Sequence, residues 1–233
     1  MIGTLNSEAV NDHLIAESRT TNHSKFNTTQ VFMAPAGDCT KQVYKEVVAQ
    51  TQQRSIWVTG PYASPYLRIS GNFNSLVILA TGIGITPALA VMNQYAGYSR
   101  FKILVWSTRS KNMLKFFVPQ MKDAQLAIVY YTGGDLTEAE VQRYIAIGNI
   151  YIAQKRAHFP STIDKVVPLC TDVINGGDGK KASSSRLGIK EMPKQIRDQW
   201  CVLYCGGSKK ICNEAQDHWK HIGIHFEYEL FDW

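Results

Sequence analysis

Two closely spaced glycines follow an apolar run in the stretch LATGIGITPALAVM (79–92), and a helical pattern comes after them. A backbone without Cβ atoms at Gly82 and Gly84 can approach a diphosphate, and the start of the next helix offers N–H donors and a partial positive charge. Thr86 could add a hydroxyl donor. A tight packing turn is the alternative interpretation, because Pro87 stands where the usual G-x-G-x-x-G fingerprint has its third glycine.

Residues suited to a nucleotide also stand at the ends of two other apolar runs. One run ends in WSTRSK, with Arg109 and Lys111 and no acid. An acid at this place holds the ribose 2′-OH of NAD, whereas an arginine favours the 2′-phosphate of NADP. The other run ends in Cys205, Gly206 and Gly207, which could line a nicotinamide pocket. A solvated arginine and an ordinary buried cysteine are the alternatives, but beside the glycine turn the pattern favours NADPH over NADH.

The elements that must position these residues alternate along most of the chain. Continuous apolar or alternating runs predict strands over 28–37, 55–62, 75–82, 101–108, 126–134, 199–207 and 224–231. Amphipathic patterns predict helices over 38–50, 86–97, 112–124, 136–148 and 209–223. Strand–helix alternation of this kind predicts an α/β fold with a doubly wound parallel sheet.

The helix boundaries carry recognisable signals. Asp38 or Thr40 is the expected N-cap of the first helix, Thr137 caps a later one, and the last helix ends at Gly223. Residues 1–30 are polar and weakly patterned, and we expect a loop there. The stretch 150–195 interrupts the alternation and contains the polar segment NGGDGKKASSSR (175–186), which we interpret as a loop or insertion.

Composition excludes several classes of protein. The chain has 233 residues, enough for one large domain or two small ones, and no apolar run long enough to span a bilayer. Its N-terminus is too polar for a signal peptide. The net charge of +6 suits an anionic ligand or membrane surface, but the basic residues form no stripe that would indicate nucleic acid. Five cysteines without framework spacing suggest reduced thiols in the cytosol and no metal site.

Taken in order, these motifs resemble a known family. WVTGPYASP, VILATGIGITPALAVM, ILVWSTR, VYYTG, LYCGG and the final HFEYELFDW follow the order and spacing of the ferredoxin–NADP reductase superfamily. They look most like its ferric reductase and NADPH oxidase branch, and the resemblance covers roughly residues 30–233. It implies a flavin-binding β-barrel followed by a Rossmann-like NADPH-binding α/β domain.

The resemblance also implies roles for individual residues. The turn under the NADPH diphosphate is matched by Gly82, Gly84, Ile85, Thr86 and Pro87. Arg109 matches the residue that reads the 2′-phosphate, and Arg186 matches a second arginine. The family's Cys-Gly-Pro is matched by Cys205, Gly206 and Gly207, with glycine in place of proline. The terminal aromatic near flavin and nicotinamide, usually Phe, is matched by Trp233, and Glu229 is a candidate polar contact near the rings. A packed tail is the alternative for Trp233.

The flavin side of the resemblance is incomplete. Gly37, Cys39 and Thr40 match a motif that contacts the FAD diphosphate, and Gly60-Pro61-Tyr62 matches the end of the barrel. The family's earlier His-Pro-Phe-Ser/Thr motif is missing. We therefore interpret residues 1–62 as an incomplete remnant of the FAD-binding barrel domain. Residues 63–233 would form the NADPH-binding domain, with the insertion around 150–195.

The function implied is that of an NAD(P)H-dependent flavin oxidoreductase. As the cytosolic dehydrogenase of a membrane flavocytochrome, it would pass hydride from NADPH to FAD. Electrons would then pass through a haem-carrying transmembrane domain to ferric iron or dioxygen. The resemblance places Trp233, Cys205 and Glu229 beside the reacting rings. Two alternatives stay open: a soluble flavin or electron-carrier reductase of the same superfamily, and a non-catalytic nucleotide-binding regulatory module.

Overall fold

A computed structural model describes residues 2–5, 14–19, 28–33, 37–49, 72–94, 101–122, 124–174 and 188–231. The chain divides into two compact units, Met1–Tyr62 and Ala63–Trp233. None of the helices within the described residues is long and apolar enough to cross a membrane.

The first unit contains a small antiparallel sheet and one helix. Strands β1 (Ile2–Leu5), β2 (Leu14–Arg19) and β3 (Thr28–Met33) pair in the order β1-β2-β3. The expectation of a loop over residues 1–30 is therefore wrong. Strands β1 and β2 have only four and six residues and show no apolar alternation, and pairing between consecutive strands satisfies their backbone groups.

Helix α1 (Asp38–Val48) follows in the same unit. Its N-cap is Gly37, in extended conformation, so the expectation of Asp38 or Thr40 as the cap is wrong. Thr40 instead closes the first turn from inside: its hydroxyl accepts from the Gly37 N–H and donates to the Gly37 carbonyl, both at 3.0 Å.

The second unit contains a six-stranded parallel sheet, which confirms the predicted fold class. Its strands are β4 (Ser75–Thr81), β5 (Phe101–Thr108), β6 (Leu126–Tyr131), β7 (Ile150–Ala153), β8 (Trp200–Gly206) and β9 (His225–Leu230). They lie in the order β7-β6-β5-β4-β8-β9. The helices are α2 (Ile85–Gln94), α3 (Lys111–Phe117), α4 (Glu138–Ile145), α5 (Phe159–Ile174), α6 (Lys194–Arg197) and α7 (Lys209–Ile222).

Both faces of the sheet are covered. One face packs alternate residues of β4, β5 and β8 against α5 and α7, with Trp200 and Trp219 among the fully buried side chains. On the other face, Trp106 of β5 meets Phe117 of α3 edge to face, with ring centroids 6.1 Å apart. A strand buried on both sides has no polar face, which explains the continuous apolar runs of β4 and β8. The order of the strands reverses at β4, and right-handed crossovers then put helices on opposite faces.

The stretch 150–195 contains more regular structure than its sequence suggested. Strand β7 pairs in parallel with β6 at the sheet edge, and α5 is a helix of 16 residues. The strand is too short to show periodicity, and Pro168 inside α5 is a residue that normally argues against a helix. The whole polar segment 175–186 lies outside the described residues.

Candidate functional site

The glycine turn lies where the strand order reverses. Strand β4 has β5 on one side and β8 on the other, all parallel, so their carboxyl ends meet at one edge of the sheet. In open α/β sheets, ligands bind beyond this edge at the reversal. The turn Gly82–Gly84 is a single 3₁₀ turn that connects β4 directly to α2. The start of α2 therefore lies at the position where such sheets bind ligands.

A buried tryptophan anchors this turn. Trp106 of β5 is fully buried, and its Nε1 donates to the carbonyl oxygen of Gly82 at 2.9 Å. Gly82 has a left-handed φ of 53°, and a Cβ there would meet no atom within 4 Å. The position is thus open on the side where a Cβ would project. Trp106 was not predicted as a site residue, although an indole near the end of a neighbouring parallel strand was a possible signal.

The turn packs closely against β8 because Gly84 and Gly206 have no Cβ atoms. A Cβ on Gly84 would lie 2.2 Å from the carbonyl oxygen of Cys205, and one on Gly206 would lie 1.9 Å from Oγ1 of Thr81. The Thr81 hydroxyl also shares a hydrogen bond of 3.2 Å with the Tyr204 hydroxyl. Close packing therefore explains why glycine stands at these two positions. For Gly84, this agrees with the alternative interpretation of the segment as a tight packing turn. Gly82 is the glycine of this turn that faces open space.

The side chains of the residues that follow the two glycines interact within the protein. Thr86 Oγ1 donates to the carbonyl of Ile83 at 3.1 Å, so its hydroxyl proton is already in a hydrogen bond within the turn. Ile85 is fully buried, and Pro87 is half-buried in the first turn of α2. Any hydrogen-bond donors that this segment offers a ligand come mainly from its backbone.

Arg109 stands just beyond the end of β5 and is exposed. Its carbonyl oxygen would lie 2.6 Å from a Cβ on Gly133, which brings the loop after β5 against the loop after β6. Nearby, Lys111 Nζ lies 2.9 Å from Glu140 Oε1. This ion pair raises the pKa of Lys111 and lowers that of Glu140 to about 2, mainly through the hydrogen bond between them. Glu140 was not predicted as a site residue.

Cys205 and Gly206 form the buried end of β8, and Gly207 is exposed beyond it. Burial, and secondarily the charge of Glu229, raises the pKa of the Cys205 thiol, which therefore stays neutral. Glu229 of β9 is paired in register with Cys205 and is half-buried. The Phe231 N–H donates to the Gly206 carbonyl at 3.2 Å, so the chain after β9 begins at the same edge.

The remaining predicted site residues lie elsewhere. Gly37, Cys39 and Thr40 belong to the first unit, where Cys39 is exposed at the start of α1. Arg186, Trp233 and the segment 60–62 lie outside the described residues. Within the described ranges, no group of three or more metal-ligating side chains comes together.

The strand order and the turn at its reversal define a Rossmann-like α/β domain. No family model and no curated protein matches the sequence. Among solved structures, the chain is similar to the flavohemoglobin from Malassezia yamatoensis with bound FAD and heme. The identity is 16%, the match covers 94% of this chain and 47% of that one, and the TM-score is 0.48.

Two other structures are similar over nearly the whole chain. The ferredoxin reductase in carbazole 1,9a-dioxygenase is 12% identical, over 98% of this chain and 58% of that one, with a TM-score of 0.47. The ferredoxin-NADP+ reductase from Plasmodium falciparum is 11% identical, over 99% and 94%, with a TM-score of 0.39. The chain spans about half the length of the flavohemoglobin and of the carbazole-system reductase.

Proposed function

We propose that residues 63–233 form the NADPH-binding domain of a flavin oxidoreductase of the ferredoxin–NADP reductase superfamily. One observation carries the proposal: the turn Gly82–Gly84 stands at the reversal of the strand order and leads directly into α2. Sheets of this kind bind dinucleotides at that point, with the diphosphate at the start of the helix.

The residues present fit the two charged parts of NADPH. The open, left-handed Gly82 would let a diphosphate approach the backbone, and the N–H groups at the start of α2 would supply donors and a partial positive charge. Arg109, exposed at the end of the neighbouring β5, would form a charge-assisted contact with the 2′-phosphate. Arg186 would add a second such contact.

The nicotinamide would lie at the end of β8, beside Cys205, Gly206 and Gly207. A neutral, buried thiol at Cys205 suits packing against a ring and does not suit nucleophilic attack. Glu229 is the polar group on the adjacent strand. Trp233 comes two residues after Phe231 in the sequence, and we assign it the role of stacking near the rings and excluding water.

The first unit would be the remnant of an FAD-binding barrel. Gly37, Cys39 and Thr40 surround the start of α1, and the backbone N–H groups of a helix start suit a flavin diphosphate. NADPH and FAD, when bound, would supply the hydride-transfer chemistry, and the chain's own residues would bind and orient the cofactors and shield their rings from water. In the full-length protein we expect a haem-carrying transmembrane domain, with this chain at the cytoplasmic face and ferric iron or dioxygen as acceptor.

Calorimetric titration with NADP⁺ and NAD⁺ tests the proposal. We expect NADP⁺ to bind more tightly, and Arg109→Ala to weaken NADP⁺ by about tenfold while leaving NAD⁺ within about twofold. Arg143→Ala is the matched control, because Arg143 is exposed in the last turn of α4. That end of the helix lies away from the carboxyl edge of the sheet.

Other outcomes point to other functions. A cooperatively melting protein that binds neither nucleotide would refute the proposal. Binding of NADP⁺ without FAD binding, measured by flavin fluorescence, would agree with an incomplete flavin barrel and would leave a regulatory nucleotide-binding module as the alternative. A gene that encodes a complete upstream barrel and no membrane helices would favour a soluble flavin or electron-carrier reductase.

A further inference from the structure

An ion pair stands beside the proposed 2′-phosphate contact. Lys111 begins α3, two residues after Arg109, and its Nζ lies 2.9 Å from Glu140 Oε1. The same Nζ donates to the carbonyl oxygen of Asp135 at 3.1 Å. Side-chain exposures of 37% for Lys111 and 30% for Glu140 leave the pair open to solvent and within reach of a ligand.

Glu140 is held in place by its own helix. Thr137 is the N-cap of α4, and its hydroxyl accepts from the Glu140 N–H at 3.3 Å. In return, Glu140 Oε2 accepts from the backbone N–H and the hydroxyl of Thr137, both at 3.0 Å. This capping box fixes the carboxylate, so Lys111 is the partner that must adapt its position.

The ion pair ties together two neighbouring loops at the carboxyl edge. Strands β5 and β6 are paired to their last residues, with Thr108 opposite Tyr131. The loop after β6 is fixed in turn, because the buried Tyr131 donates its hydroxyl to the carboxylate of Asp135. Lys111 thus contacts two acidic residues: it donates to the backbone carbonyl of Asp135 and forms an ion pair with the carboxylate of Glu140.

We propose that Glu140 limits the preference of this domain for NADPH over NADH, by holding Lys111 and cancelling its charge beside the 2′-phosphate. The inference rests on the proposed nucleotide site and concerns its selectivity. A phosphate bound at Arg109 is stabilised by every nearby positive charge that no neighbouring anion neutralises. With Glu140 ionised, Lys111 contributes little, and Arg109 carries most of the discrimination. Without the negative charge of Glu140, Lys111 could form a second contact with the phosphate.

Glu140→Gln is the substitution that isolates this effect. Glutamine removes the negative charge but keeps a side-chain oxygen for the capping box. Glu138→Gln is the matched control: it makes the same change of charge in the first turn of the same helix, on an exposed residue outside the Lys111 ion pair. A general increase in positive charge would affect both variants alike.

The probes are 2′,5′-ADP and 5′-AMP, which differ only in the 2′-phosphate. In calorimetric titrations, we expect Glu140→Gln to bind 2′,5′-ADP about threefold to fivefold more tightly and 5′-AMP with unchanged affinity. Glu138→Gln should change neither by more than about twofold. Adding Lys111→Met to Glu140→Gln should abolish the gain, which a purely structural effect of the glutamine would not do.

Two kinds of failure are distinguishable. If the wild-type chain prefers 2′,5′-ADP to 5′-AMP but Glu140→Gln leaves that preference unchanged, the inference about Glu140 is wrong and the proposed site stands. An equal gain in the Glu138→Gln control overturns the inference as well. If the wild-type chain shows no preference for 2′,5′-ADP, the inference fails together with the proposed function.

Discussion

Replacing Gly84 by alanine tests whether the turn after β4 is held by contact between two backbones. The added Cβ would lie 2.2 Å from the Cys205 carbonyl oxygen and 2.7 Å from its carbonyl carbon. Ordinary van der Waals contact begins near 3.4 Å, so the closer contact is about 1.2 Å too short. Both atoms belong to the backbone of β8, which is buried and paired on both sides. The turn, and with it the start of α2, must therefore move.

The expected cost follows from the kind of contact. Overpacking in a well-packed region costs about 1–3 kcal/mol, and we expect Gly84→Ala to lower the free energy of unfolding by about 2 kcal/mol. Gly82→Ala meets no atom within 4 Å, but its φ of 53° is left-handed. A left-handed non-glycine residue costs about 1–2 kcal/mol, so Gly82→Ala should cost about 1 kcal/mol.

Urea denaturation of the two variants and of Gly188→Ala provides the measurement. Gly188 is the matched control, because it has a φ of −65° and nothing within 4 Å of an added Cβ. We expect its stability to change by less than about 0.5 kcal/mol. NADP⁺ affinity should fall at least about tenfold in Gly84→Ala, since the displaced turn would carry the diphosphate contacts.

A stability loss below about 0.5 kcal/mol in Gly84→Ala would refute the packing argument. So would a larger loss in Gly82→Ala than in Gly84→Ala, because backbone strain would then outweigh contact with β8. Unchanged NADP⁺ affinity in a destabilised Gly84→Ala would separate the packing from the proposed binding role.

Three further predictions concern single interactions. Trp106→Phe removes the hydrogen bond to the Gly82 carbonyl and should cost about 1–2 kcal/mol in urea denaturation. Cys39 is the exposed member of five free cysteines, so one thiol per chain should react rapidly with a disulfide reagent and four only after unfolding. The pKa of Glu140 is lowered to about 2, so it stabilises the fold above its unfolded pKa, and that contribution is lost as the pH falls toward 2. Acid titrations should therefore show a smaller loss of stability between about pH 4.5 and 2 in Glu140→Gln.

Each of these has a result that would contradict it. A Trp106→Phe variant as stable as the wild type would mean that the indole bond contributes nothing net. Rapid labelling that persists in Cys39→Ser would place a second reactive thiol at the surface. For Glu140, a carboxyl resonance that titrates near pH 4.5 in NMR would show that Lys111 does not hold it ionised.

Much of the second unit was predictable because its strands are buried on both faces. Strand β5 begins and ends at the residues that the sequence predicted, 101 and 108. Two boundary residues were also confirmed: Thr137 caps α4, and Gly223 ends α7 with a φ of 76°. Such signals are local, since the cap and the left-handed residue depend on side chains within one helical turn.

The short elements were not predictable for the opposite reason. The strands β1, β2 and β7 have four to six residues each, and their stability depends on a partner strand elsewhere in the chain. Gly37 was missed as the cap of α1 because it has no side chain to provide a capping bond. In these places, backbone pairing decides the structure, and the side-chain pattern carries little information.

By itself, the sequence determined that a glycine turn joins a buried strand to a helix and that Arg109 follows the next strand. Only the tertiary structure decided what each residue does there. Gly84 is a glycine because the Cys205 carbonyl lies against it, and Lys111 is paired because Glu140 lies in the first turn of the next helix, α4. These partners are far apart in the chain and meet because parallel strands bring their carboxyl ends to one edge of a sheet.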